Sequence, residues 1–460
     1  MARAKKEAAL TPEERLQAAL VPDWEWPYKL PENWCWTRMQ EIAQWGSGGT
    51  PSRKVSGYYN GNISWVKTGE LNNDFIFETE EHITQEAISH SSAKIYPTDT
   101  VVIAMYGATI GKVGILGISA ATNQACACAI AKPSTDYKYL FYYAQSQKDD
   151  FIKKGKGGAQ PNISQEIIKF HQFPLPPLAE QRRIVDRIES LFAKLDEAKE
   201  KAQTVVDSFE TRKAAILHKA FTGELTAKWR EEHGVGMESW EKHLLSTVSS
   251  LQTGLMKGKK YTGKTVELPY LRVANVQDGF LRLDEIKKID VEEKAISRYS
   301  LAVGDVLFTE GGDFDKLGRG TVWEGQIKNC LHQNHIFVVR PNPEVLNPYF
   351  LSYQAGSRYG KAYFLSCSKQ TTNLASINST QLKNFPVIIP SMMEQEVIIR
   401  LIDSSLEKEQ QAKNVAESVL DQIDLMKKSI LARAFRGELG TNDPSEESAI
   451  ELLKNVLEKK

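Results

Sequence analysis

The sequence has few of the features that would place it in a membrane or outside the cell. No apolar run reaches the ~18 residues that a membrane-spanning helix needs. The N-terminus, MARAKKEAALTPEERLQAAL, is charged and rich in alanine, unlike the apolar core of a secretory signal. The five cysteines form no C-x-x-C motif, which argues against a disulfide framework and against zinc. We therefore expect a cytoplasmic chain with reduced thiols and no membrane partner.

Net charge is also absent, because 58 basic and 58 acidic side chains cancel. A neutral total does not exclude a nucleic-acid partner, since basic and acidic faces can lie on one molecule. The chain of 460 residues is too long for one ordinary core. Its length predicts about two to four domains.

Motifs for catalysis and metal binding are missing as well. The stretch KKGKGGAQ (153–160) has the wrong spacing for a phosphate-binding loop. GGDFDKLGRG (311–320) has the residue types of a metal nuclease, but the parallel stretch YGATIGKVG (106–114) has no carboxylate. LNPYF (346–350) lacks the second proline of an adenine methyltransferase loop, and Asn347 as a helix cap before Pro348 explains it better.

The histidines give no metal site either. His332 and His335 lack partner ligands at metal spacing, so they are either core residues or base-reading residues. We therefore expect no metal and no cofactor bound by this chain, while an enzyme whose active site carries no local motif stays an open alternative.

What the sequence does have is a long internal repeat. ILHKAFTGEL (216–225) returns as ILARAFRGEL (430–439), 214 positions later. The dipeptides Glu180-Gln181 and Glu394-Gln395 are separated by the same 214 positions. An equal length with diverged sequence predicts a rigid element in each half of the chain.

Each rigid element has the heptad pattern of a helix that packs on another helix. About 40 residues at ~1.5 Å each predict helices roughly 60 Å long. Ser391 and Glu394 predict a capping box at the second helix, and Gly223 and Gly437 predict the two ends. The predicted seam consists of Ile184, Ile188, Leu191, Leu195, Ala198, Ala202, Val205, Phe209, Ile216, Ile398, Ile402, Ala412, Ala416, Val419, Ile423, Met426 and Ile430.

A longer and more divergent segment precedes each helix, with weaker parallels between the two copies. DTVVIA (99–104) aligns with GDVLFT (304–309), and YLFYYAQSQ (139–147) aligns with YFLSYQAGS (349–357). Short β-branched runs, glycine turns and a few helices predict an α+β fold for both segments. The predicted order is an N-terminal helical segment (1–30), a globular domain (31–175), a long helix (176–237), a second domain (238–388), and a second long helix with a tail (389–460).

These motifs together resemble the specificity subunits of type I restriction-modification systems. The resemblance covers nearly the whole chain and depends on PLPPLAEQRRIVDRIE (174–189), the repeated AF-x-GEL ends, GSGGTPS (46–52) and QTTNLASI (370–377). The glycine-rich opening is clear in the first half and blurred in the second, where TGLMKG (253–258) stands in its place.

The resemblance implies two target recognition domains separated by an antiparallel coiled coil of the two long helices. Each domain would read one half of a split, asymmetric sequence in double-stranded DNA. The subunit would have no catalytic activity. It would recruit two copies of a methyltransferase subunit, which uses S-adenosylmethionine to methylate adenine, and translocating restriction subunits. The exposed helix faces near EQRRIVDR (180–187) would be the dock for the methyltransferase.

Candidate DNA-binding residues follow from the side chains that contact base edges and phosphates. GSGGTPSR is either a place where backbone amides approach phosphate or a structural turn, and the lysines at 153–156 are either contacts or a solvated loop. The candidates in the first half are Ser47, Gly48, Gly49, Thr50, Ser52, Arg53, Lys67, Thr68, Tyr106, Thr109, Lys112, Asn123, Gln124, Lys153, Lys154, Lys156, Gln160 and Asn162.

In the second half, Gln333 and Asn334 occupy the place of Asn123 and Gln124. These amides either hydrogen-bond adenine or hold a buried strand. The candidates in this half are Lys257, Lys259, Lys260, Arg272, Asn275, Asp313, Lys316, Arg319, Gln333, Asn334, Lys369, Gln370, Thr371, Thr372 and Asn373.

Another class of function remains open from the residues alone. The chain is then a structural adaptor, with two protein-binding domains on a helical scaffold and no affinity for DNA. Salt-dependent DNA binding in the presence of a methyltransferase subunit distinguishes the two hypotheses.

Overall fold

The computed structural model describes residues 11–155, 162–256, 263–312, 317–370 and 375–458. The chain forms two compact units. Unit 1 contains Met1–Lys201 and Val419–Lys460, and unit 2 contains Ala202–Ser418. Each long helical region is therefore divided between the units, so that both ends of the chain belong to unit 1.

Unit 1 is built around mixed, mainly antiparallel sheets that pack against helices. Its strands are β1 (Cys35–Arg38), β2 (Ala43–Ser47), β3 (Tyr59–Val66), β4 (Phe75–Ile76), β5 (His82–Ile83), β6 (Ile95–Tyr96), β7 (Val101–Ala104), β8 (Val113–Leu116), β9 (Ala120–Thr122), β10 (Cys126–Ala131) and β11 (Gln172–Leu175). Its helices are α1 (Pro12–Ala19), α2 (Met39–Ile42), α3 (Gln85–Ser89), α4 (Tyr137–Ser146), α5 (Lys148–Lys154), α6 (Gln165–Lys169) and most of α7 (Leu178–Asp207).

Unit 2 has the same kind of architecture. Its helices are α8 (Phe209–Phe221), α9 (Ala227–His233), α10 (Leu245–Val248), α11 (Ile296–Tyr299), α12 (Pro348–Gly356), α13 (Arg358–Cys367), α14 (Ser379–Lys383) and the first part of α15 (Met392–Ala434). Its strands are β12 (Glu241–Leu244), β13 (Ser249–Thr253), β14 (Thr265–Leu271), β15 (Lys287–Glu292), β16 (Val306–Thr309), β17 (Gly311–Gly312), β18 (Gly320–Val322), β19 (Leu331–His332), β20 (Ile336–Pro341), β21 (Lys369–Gln370), β22 (Ala375–Ser376) and β23 (Pro386–Ile389). The C-terminal helix α16 (Ala449–Glu458) returns to unit 1 and packs on α1.

The principal strand pairings of unit 1 recur in unit 2. The order β2-β10-β7-β8 of unit 1 matches the order β13-β20-β16-β18 of unit 2. The antiparallel pair β1 and β11 matches β12 and β23, and the parallel pair β3 and β9 matches β14 and β19. The α+β fold and the internal duplication that the sequence predicted are therefore confirmed.

Strand β10 shows how the cysteines are used. Successive side chains of a strand point to opposite faces of the sheet. Cys126 and Cys128 lie in one buried cluster, whereas Ala127 and Ala129 lie in another. Burial raises the pKa of the Cys128 thiol to about 12, so this thiol stays protonated at neutral pH.

The glutamine of each E-Q dipeptide joins the start of a long helix to its domain. The side-chain amide nitrogen of Gln181 donates to the carbonyl oxygens of Ser134 (2.9 Å) and Pro176 (3.0 Å), and its oxygen accepts from the amide of Asp136 (2.8 Å). Asp136 is the N-cap of α4, so the glutamine aligns two helix starts.

Gln395 repeats this arrangement in unit 2. Its nitrogen donates to Val345 and Pro390, and its oxygen accepts from the amide of Asn347 at 2.9 Å. Asn347 caps α12, as the sequence predicted, with Pro348 at the first helical position. Both glutamines are completely buried, which explains why the dipeptide occurs at the same point of each repeat.

The glutamate of each dipeptide also accepts hydrogen bonds inside its unit. Glu180 accepts from the indole nitrogen of Trp34 (2.8 Å) and the amide of Asn442 (2.8 Å). Burial raises the pKa of Glu180, and the hydrogen bonds from Trp34 and Asn442 oppose that shift. Glu394 accepts from the indole of Trp240 at 3.0 Å.

The predicted capping box at α15 is half correct. The hydroxyl of Ser391 accepts from the amide of Glu394 (3.3 Å) and so caps the helix. The carboxylate of Glu394 does not return to the cap, because it binds Arg230 (2.8 Å), Thr226 (2.7 Å) and Trp240. The predicted ends at Gly223 and Gly437 are confirmed, since both have positive φ (80° and 74°).

Within each unit the long helices run antiparallel. In unit 1 the ammonium of Lys427 lies 2.5 Å from Asp196, and Asp424 lies 4.0 Å from Lys199. In unit 2 Glu409 lies 2.5 Å from Arg212, and Lys413 lies over the ring of Phe209. Residue numbers rise along one helix and fall along the other in both pairs, which is the antiparallel direction.

The first long helix is interrupted, which the heptad pattern did not predict. Helix α7 ends at Asp207 and α8 begins at Phe209. The guanidinium of Arg212 donates to the carbonyl of Val205 at 3.0 Å and to the hydroxyl of Ser208. A side chain that takes a backbone carbonyl in this way is a common cause of a helix kink. Helix α15, in contrast, continues for 43 residues.

The seam itself departs from the predicted positions at two points. Ile184, Ile188, Ala202, Ile398, Ile402, Ala416 and Ile423 are buried, and Leu191, Leu195, Ala198, Val205, Phe209, Ile216, Val419 and Ile430 are partly buried. Ala412 and Met426 are exposed, contrary to the prediction. Lys413 and Lys427 take their places, because their stems pack on the other helix with the ammonium groups 4.8 Å from the ring centre of Phe209 and 5.0 Å from that of Phe192.

Candidate nucleic-acid interface

Three separate predicted segments of unit 1 meet at one pocket, and a fourth lies beside it. This corner pocket has a volume of 520 Å³ and is lined by Ser47, Gly48, Ser92, Lys94, Met105, Tyr106, Gln124, Ser164 and Gln165. Ser47, Gly48, Tyr106 and Gln124 were predicted as DNA-binding residues. Asn162, also predicted, pairs with Tyr106 through an isolated backbone bridge beside the pocket. The fold thus brings together residues that are far apart in the sequence.

Of the two roles that the sequence left open for GSGGTPSR, Gly48 and Gly49 take the structural one, so their amides are not available to phosphate. Gly48 and Gly49 are buried, and their amides donate to the carbonyls of Cys126 (3.2 Å) and Thr122 (2.8 Å). A Cβ on Gly48 would lie 2.1 Å from the carbonyl oxygen of Asn123. Glycine is required here because the two backbones approach so closely.

Several polar side chains lie at the rim of the pocket, and they differ in whether they face it. The residue Gln124 is exposed, and its side-chain oxygen accepts a hydrogen bond from the hydroxyl of Thr50. The nitrogen of Gln165 donates to the carbonyl of Gly46 at 2.6 Å. Asn123 instead stabilises its own turn, since its oxygen accepts from the amide of Ala125 at 3.1 Å. Of the two predicted amides, Gln124 is therefore presented to the pocket and Asn123 is not.

Two predicted basic residues of unit 1 are paired with carboxylates. Arg53 forms two hydrogen bonds to Glu81 (2.6 and 3.1 Å) and lies over the ring of Tyr59 (4.4 Å). Lys67 lies 2.8 Å from Glu80 and 3.1 Å from Glu81. The hydrogen bonds from Lys67 to Glu80 and Glu81 raise the pKa of Lys67. The hydrogen bonds from Arg53 and from Lys67 lower the pKa of Glu81. Both cations are thus neutralised within the unit, which weakens their attraction for phosphate.

The other candidates of unit 1 that the structure describes are not part of the pocket lining. The hydroxyl of Thr109 donates to the carbonyl of Tyr106 (2.7 Å). Lys154 lies 2.8 Å from the ring of His171, and burial together with this lysine lowers the pKa of His171 to about 4. Ser52 and Lys153 are exposed, and Thr68 and Lys112 are partly exposed.

Unit 2 has a corner at the equivalent backbone position. The amide of Gln333 donates to the carbonyl of Leu271 (2.9 Å), as the amide of Asn123 donates to that of Val66 (2.9 Å). The predicted equivalence of the two amide pairs is therefore confirmed by the backbone. Gly254 takes the place of Gly48, since a Cβ there would lie 2.3 Å from the carbonyl oxygen of His332.

The two histidines of this segment differ in their surroundings. His332 is completely buried and its ring contacts the carbonyl of Ile336 at 3.0 Å, so it belongs to the core. His335 is half exposed, and its ring nitrogen forms a hydrogen bond with the carboxylate of Glu310. Of the two roles left open by the sequence, the core role suits His332 and a surface role suits His335.

Asn275 was predicted to contact DNA, but the structure gives it a different task. Its side chain is 3% exposed. Its oxygen accepts from the amide of Arg272 (2.9 Å), and its nitrogen donates to the carbonyls of Arg282 (2.8 Å) and Glu285 (3.1 Å). Asn275 therefore holds a turn together and is not available to a base.

The remaining candidates of unit 2 that the structure describes are partly or fully exposed. Arg272 lies 3.3 Å from Glu285, and Arg319 donates to the side chain of Gln277 (3.2 Å). Lys369 and Gln370 are exposed on β21. Several candidates lie outside the described residues: Lys156, Gln160, Lys257, Lys259, Lys260, Asp313, Lys316, Thr371, Thr372 and Asn373.

Sequence reasoning missed some residues at both corners. Ser92, Lys94, Ser164 and Gln165 line the corner pocket although no motif marks them. Ser164 could have been found, because it caps α6 in the way that Asn378 caps α14. Glu310 was passed over because carboxylates are less expected than cations at a DNA surface.

Neither a membrane helix nor a metal cluster is present in the part of the chain that the structure describes. None of its helices there is both long and apolar enough to cross a membrane. No group of three or more histidine, cysteine, aspartate or glutamate side chains in those ranges is arranged to hold a metal ion.

Comparisons with solved structures give the fold. The chain is similar to the HsdS subunit from Thermoanaerobacter tengcongensis, with a TM-score of 0.59 and 20% identity over 90% of this chain and 99% of that one. It is also similar to a chain from a structural study of complex assembly and conformational transition of the type I R-M system. That match has a TM-score of 0.65 and 20% identity, and covers 90% of this chain and 100% of the other.

Comparisons of sequence point to the same group of proteins. The chain is 24% identical to the type I restriction enzyme EcoKI specificity subunit of Escherichia coli, over 89% of this chain and 90% of that protein. It is also 24% identical to the StySPI specificity subunit of Salmonella potsdam, with the same coverage. The family described as the type I restriction modification DNA specificity domain matches residues 31–205 and 237–417. The chain therefore belongs to the type I restriction-modification DNA specificity family and contains two copies of its domain.

Proposed function

We propose that each unit reads one half of a split DNA target, and that the two halves differ in sequence. The observation that carries this proposal is the pair of equivalent corners with different side chains. Tyr106 and Gln124 of unit 1 correspond to Gly311 and Asn334 of unit 2 on the matching backbone. Different side chains on equivalent backbone positions favour different bases, so the target is asymmetric rather than palindromic.

The chain supplies specificity, and its partners supply the chemistry. As a specificity subunit it is not itself the methyltransferase or the nuclease. We propose that it recruits two methyltransferase subunits, which bind S-adenosylmethionine and methylate adenine, and restriction subunits that translocate DNA. The two E-Q helix starts support a pair of docking surfaces, because the same buried network recurs in both units. The complex would act in the cytoplasm, where the chromosomal DNA lies.

We further propose that the paired helices set the gap between the half-sites. The helices are antiparallel within each unit, and α15 continues without a break from residue 392 to residue 434. A helix adds ~1.5 Å per residue, so its length is a fixed dimension. Half-sites whose centres lie about one turn apart, ~34 Å, would suit such a spacer.

Binding of the reconstituted complex to DNA tests this function. The full chain, purified with its methyltransferase subunits, should select one split sequence from a random duplex library. Its affinity should fall steeply as salt rises, because phosphate contacts release counterions. Selection of no sequence, together with the absence of salt-dependent DNA affinity, would instead favour a structural adaptor.

A further inference from the structure

An exposed carboxylate and an exposed histidine form a pair at the corner of unit 2. Glu310 lies between β16 and β17, and His335 lies directly before β20. The Nδ1 atom of His335 forms a hydrogen bond with the Glu310 carboxylate. The other ring nitrogen lies 3.5 Å from the side-chain nitrogen of Asn334. The two side chains are 37% and 51% exposed, so they face outward.

The backbone around this pair in unit 2 has the same hydrogen-bonding pattern as the backbone of the corner pocket in unit 1. The amide of Glu310 donates to the carbonyl of His335 (3.0 Å), as the amide of Met105 donates to that of Ala125 (2.8 Å). The carbonyl of Glu310 accepts from Ile377 (2.8 Å), and the carbonyl of Met105 accepts from Ile163 (2.9 Å). Glu310 and His335 therefore stand where unit 1 has methionine and alanine, and this is a difference in chemistry on a shared frame.

Stability does not explain why the pair is present. A pair of exposed polar groups contributes little to stability, and neither side chain fills a core. A carboxylate on a DNA-facing surface is also repelled by phosphates. A carboxylate is suited, however, to accept a hydrogen bond from the exocyclic amino group of a base, on cytosine N4 or adenine N6.

We propose that Glu310 is a base-reading residue of unit 2, with His335 as its positioning residue. The carboxylate accepts from the exocyclic amino group of a cytosine or adenine in one half of the target, and it discriminates against the carbonyl oxygens of guanine and thymine at that position. Unit 1 has no carboxylate there, so it reads its own half with other groups. This inference rests on the proposed function, and it adds which residue reads and what kind of base edge it reads.

The test is the methylated sequence of cells that carry Glu310→Gln in the full chain together with its methyltransferase subunits. The carboxylate of Glu310 only accepts hydrogen bonds, whereas the amide of glutamine both donates and accepts them. Discrimination between amino and carbonyl base edges at one position should therefore fall about tenfold. His335→Ala should weaken the same position less. Glu241→Gln is the matched control, because Glu241 forms a similar exposed pair with His243 (3.1 Å) on β12 of the same unit.

Modification-sensitive sequencing then separates the outcomes. A change confined to one half of the split motif, with the other half and the control unaltered, supports the proposal. An unchanged motif at normal methylation levels overturns it. If methylation disappears altogether, binding of the variant complex to duplexes with one half randomised decides. Tolerance of changes in one half alone supports the proposal, and equal loss at both halves overturns it.

The same experiment distinguishes this inference from the proposed function. If cells with the unaltered chain methylate no split motif and the complex selects no sequence, the proposed function itself fails. If the unaltered chain gives a split motif and Glu310→Gln leaves it intact, only the inference about Glu310 fails.

Discussion

The guanidinium of Arg230 lies 2.8 Å from the carboxylate of Glu394, and the two side chains are only 8% and 1% exposed. Arg230 lies on α9, just after the GEL turn that ends α8, whereas Glu394 lies in the first turn of α15. Within unit 2 the pair therefore joins the end of one long helical region to the beginning of the other.

Unit 1 uses its own GEL turn in the same way. After Gly437 the chain brings Thr441 and Asn442 to Glu180, with Asn442 at 2.8 Å. A Cβ on Gly437 would lie 2.5 Å from Pro31, so the turn is packed against the segment that precedes Trp34. The repeated motif is thus explained by its contacts: each GEL turn delivers polar groups to the glutamate of an E-Q dipeptide.

Removal of the buried arginine should destabilise unit 2. In Arg230→Ala the carboxylate of Glu394 stays buried without its cation, which should cost about 3–5 kcal/mol. Chemical denaturation of the full chain, with hydrogen exchange of unit 2 peptides, measures this change. Lys228→Ala is the control, since the Lys228–Glu232 pair on the same helix is exposed and should contribute under about 1 kcal/mol. Similar losses in the two variants would contradict the account.

Gln124→Ala should change only the half-site that unit 1 reads. The variant removes an exposed amide from the corner pocket without touching a buried group. We expect one base position to lose about tenfold discrimination, because a good amide–base pair contributes about 1–3 kcal/mol. The methylated motif of cells carrying the variant is the measurement. Gln44→Ala, an exposed glutamine on β2, should leave the motif intact, and a change in both halves with Gln124→Ala would be evidence against this role.

Acid should destabilise unit 2 through His332. Burial lowers the pKa of His332 from 6.5 to about 4, so the folded unit keeps this ring neutral where the unfolded chain takes up a proton. The stabilising contribution is complete above pH ~6.5, and it is lost as the pH falls from ~6.5 towards ~4, to a total of about 3 kcal/mol.

His332→Gln should therefore flatten the dependence of unfolding free energy on pH across that window. His171 of unit 1 has its pKa lowered to about 4 as well, so the variant should remove only part of the slope of the full chain. Exposed His218 provides a control in His218→Gln, which should keep the slope. An unchanged slope in His332→Gln would show that the ring is not buried in its neutral form.

Lengthening both helices should alter the gap in the target and not the bases. Seven residues inserted between Lys201 and Ala202, and seven between Ser418 and Val419, keep the heptad seam in register. Each insertion adds ~10 Å, or about three base pairs at ~3.4 Å each. Sequencing of the methylated motif should show the same half-sites with a longer gap. The insertion in α15 alone should abolish methylation, and a motif with new bases and the old gap would exclude a spacer role.

The architecture could be predicted from the sequence because the same residue spacings occur in both halves of the chain. The distance from Glu180 to Gly223 equals the distance from Glu394 to Gly437, and this equality predicted two equivalent helical regions. The alternation of Cys126 and Cys128 with alanines is likewise typical of a buried strand, and β10 is one. Such patterns are local, so they can be recognised without knowledge of what packs against them.

The seam could not be placed fully, because helical periodicity alone does not separate a lysine stem from an apolar side chain. Pattern matching favoured Ala412 and Met426, whereas the structure uses the stems of Lys413 and Lys427 over phenylalanine rings. The preference depends on Phe192 and Phe209 of the other helical region, which lie more than 200 positions away in sequence.

The candidate interface was predicted in part for a related reason. Gln124 and Tyr106 were found from residue type, but Asn275 has the right type and is buried in a turn. Arg53 and Lys67 have the right charge and are neutralised by Glu80 and Glu81, which lie on another segment. Which polar groups remain available is decided by tertiary partners, and the sequence does not show them.

Modification-sensitive long-read sequencing of the source genome, with and without this gene, tests the central claim most directly. The account predicts that one split, asymmetric motif loses adenine methylation on both strands when the gene is removed. Retention of every methylated motif in the deleted strain, while the partner methyltransferase is expressed and active in the parent, would contradict it.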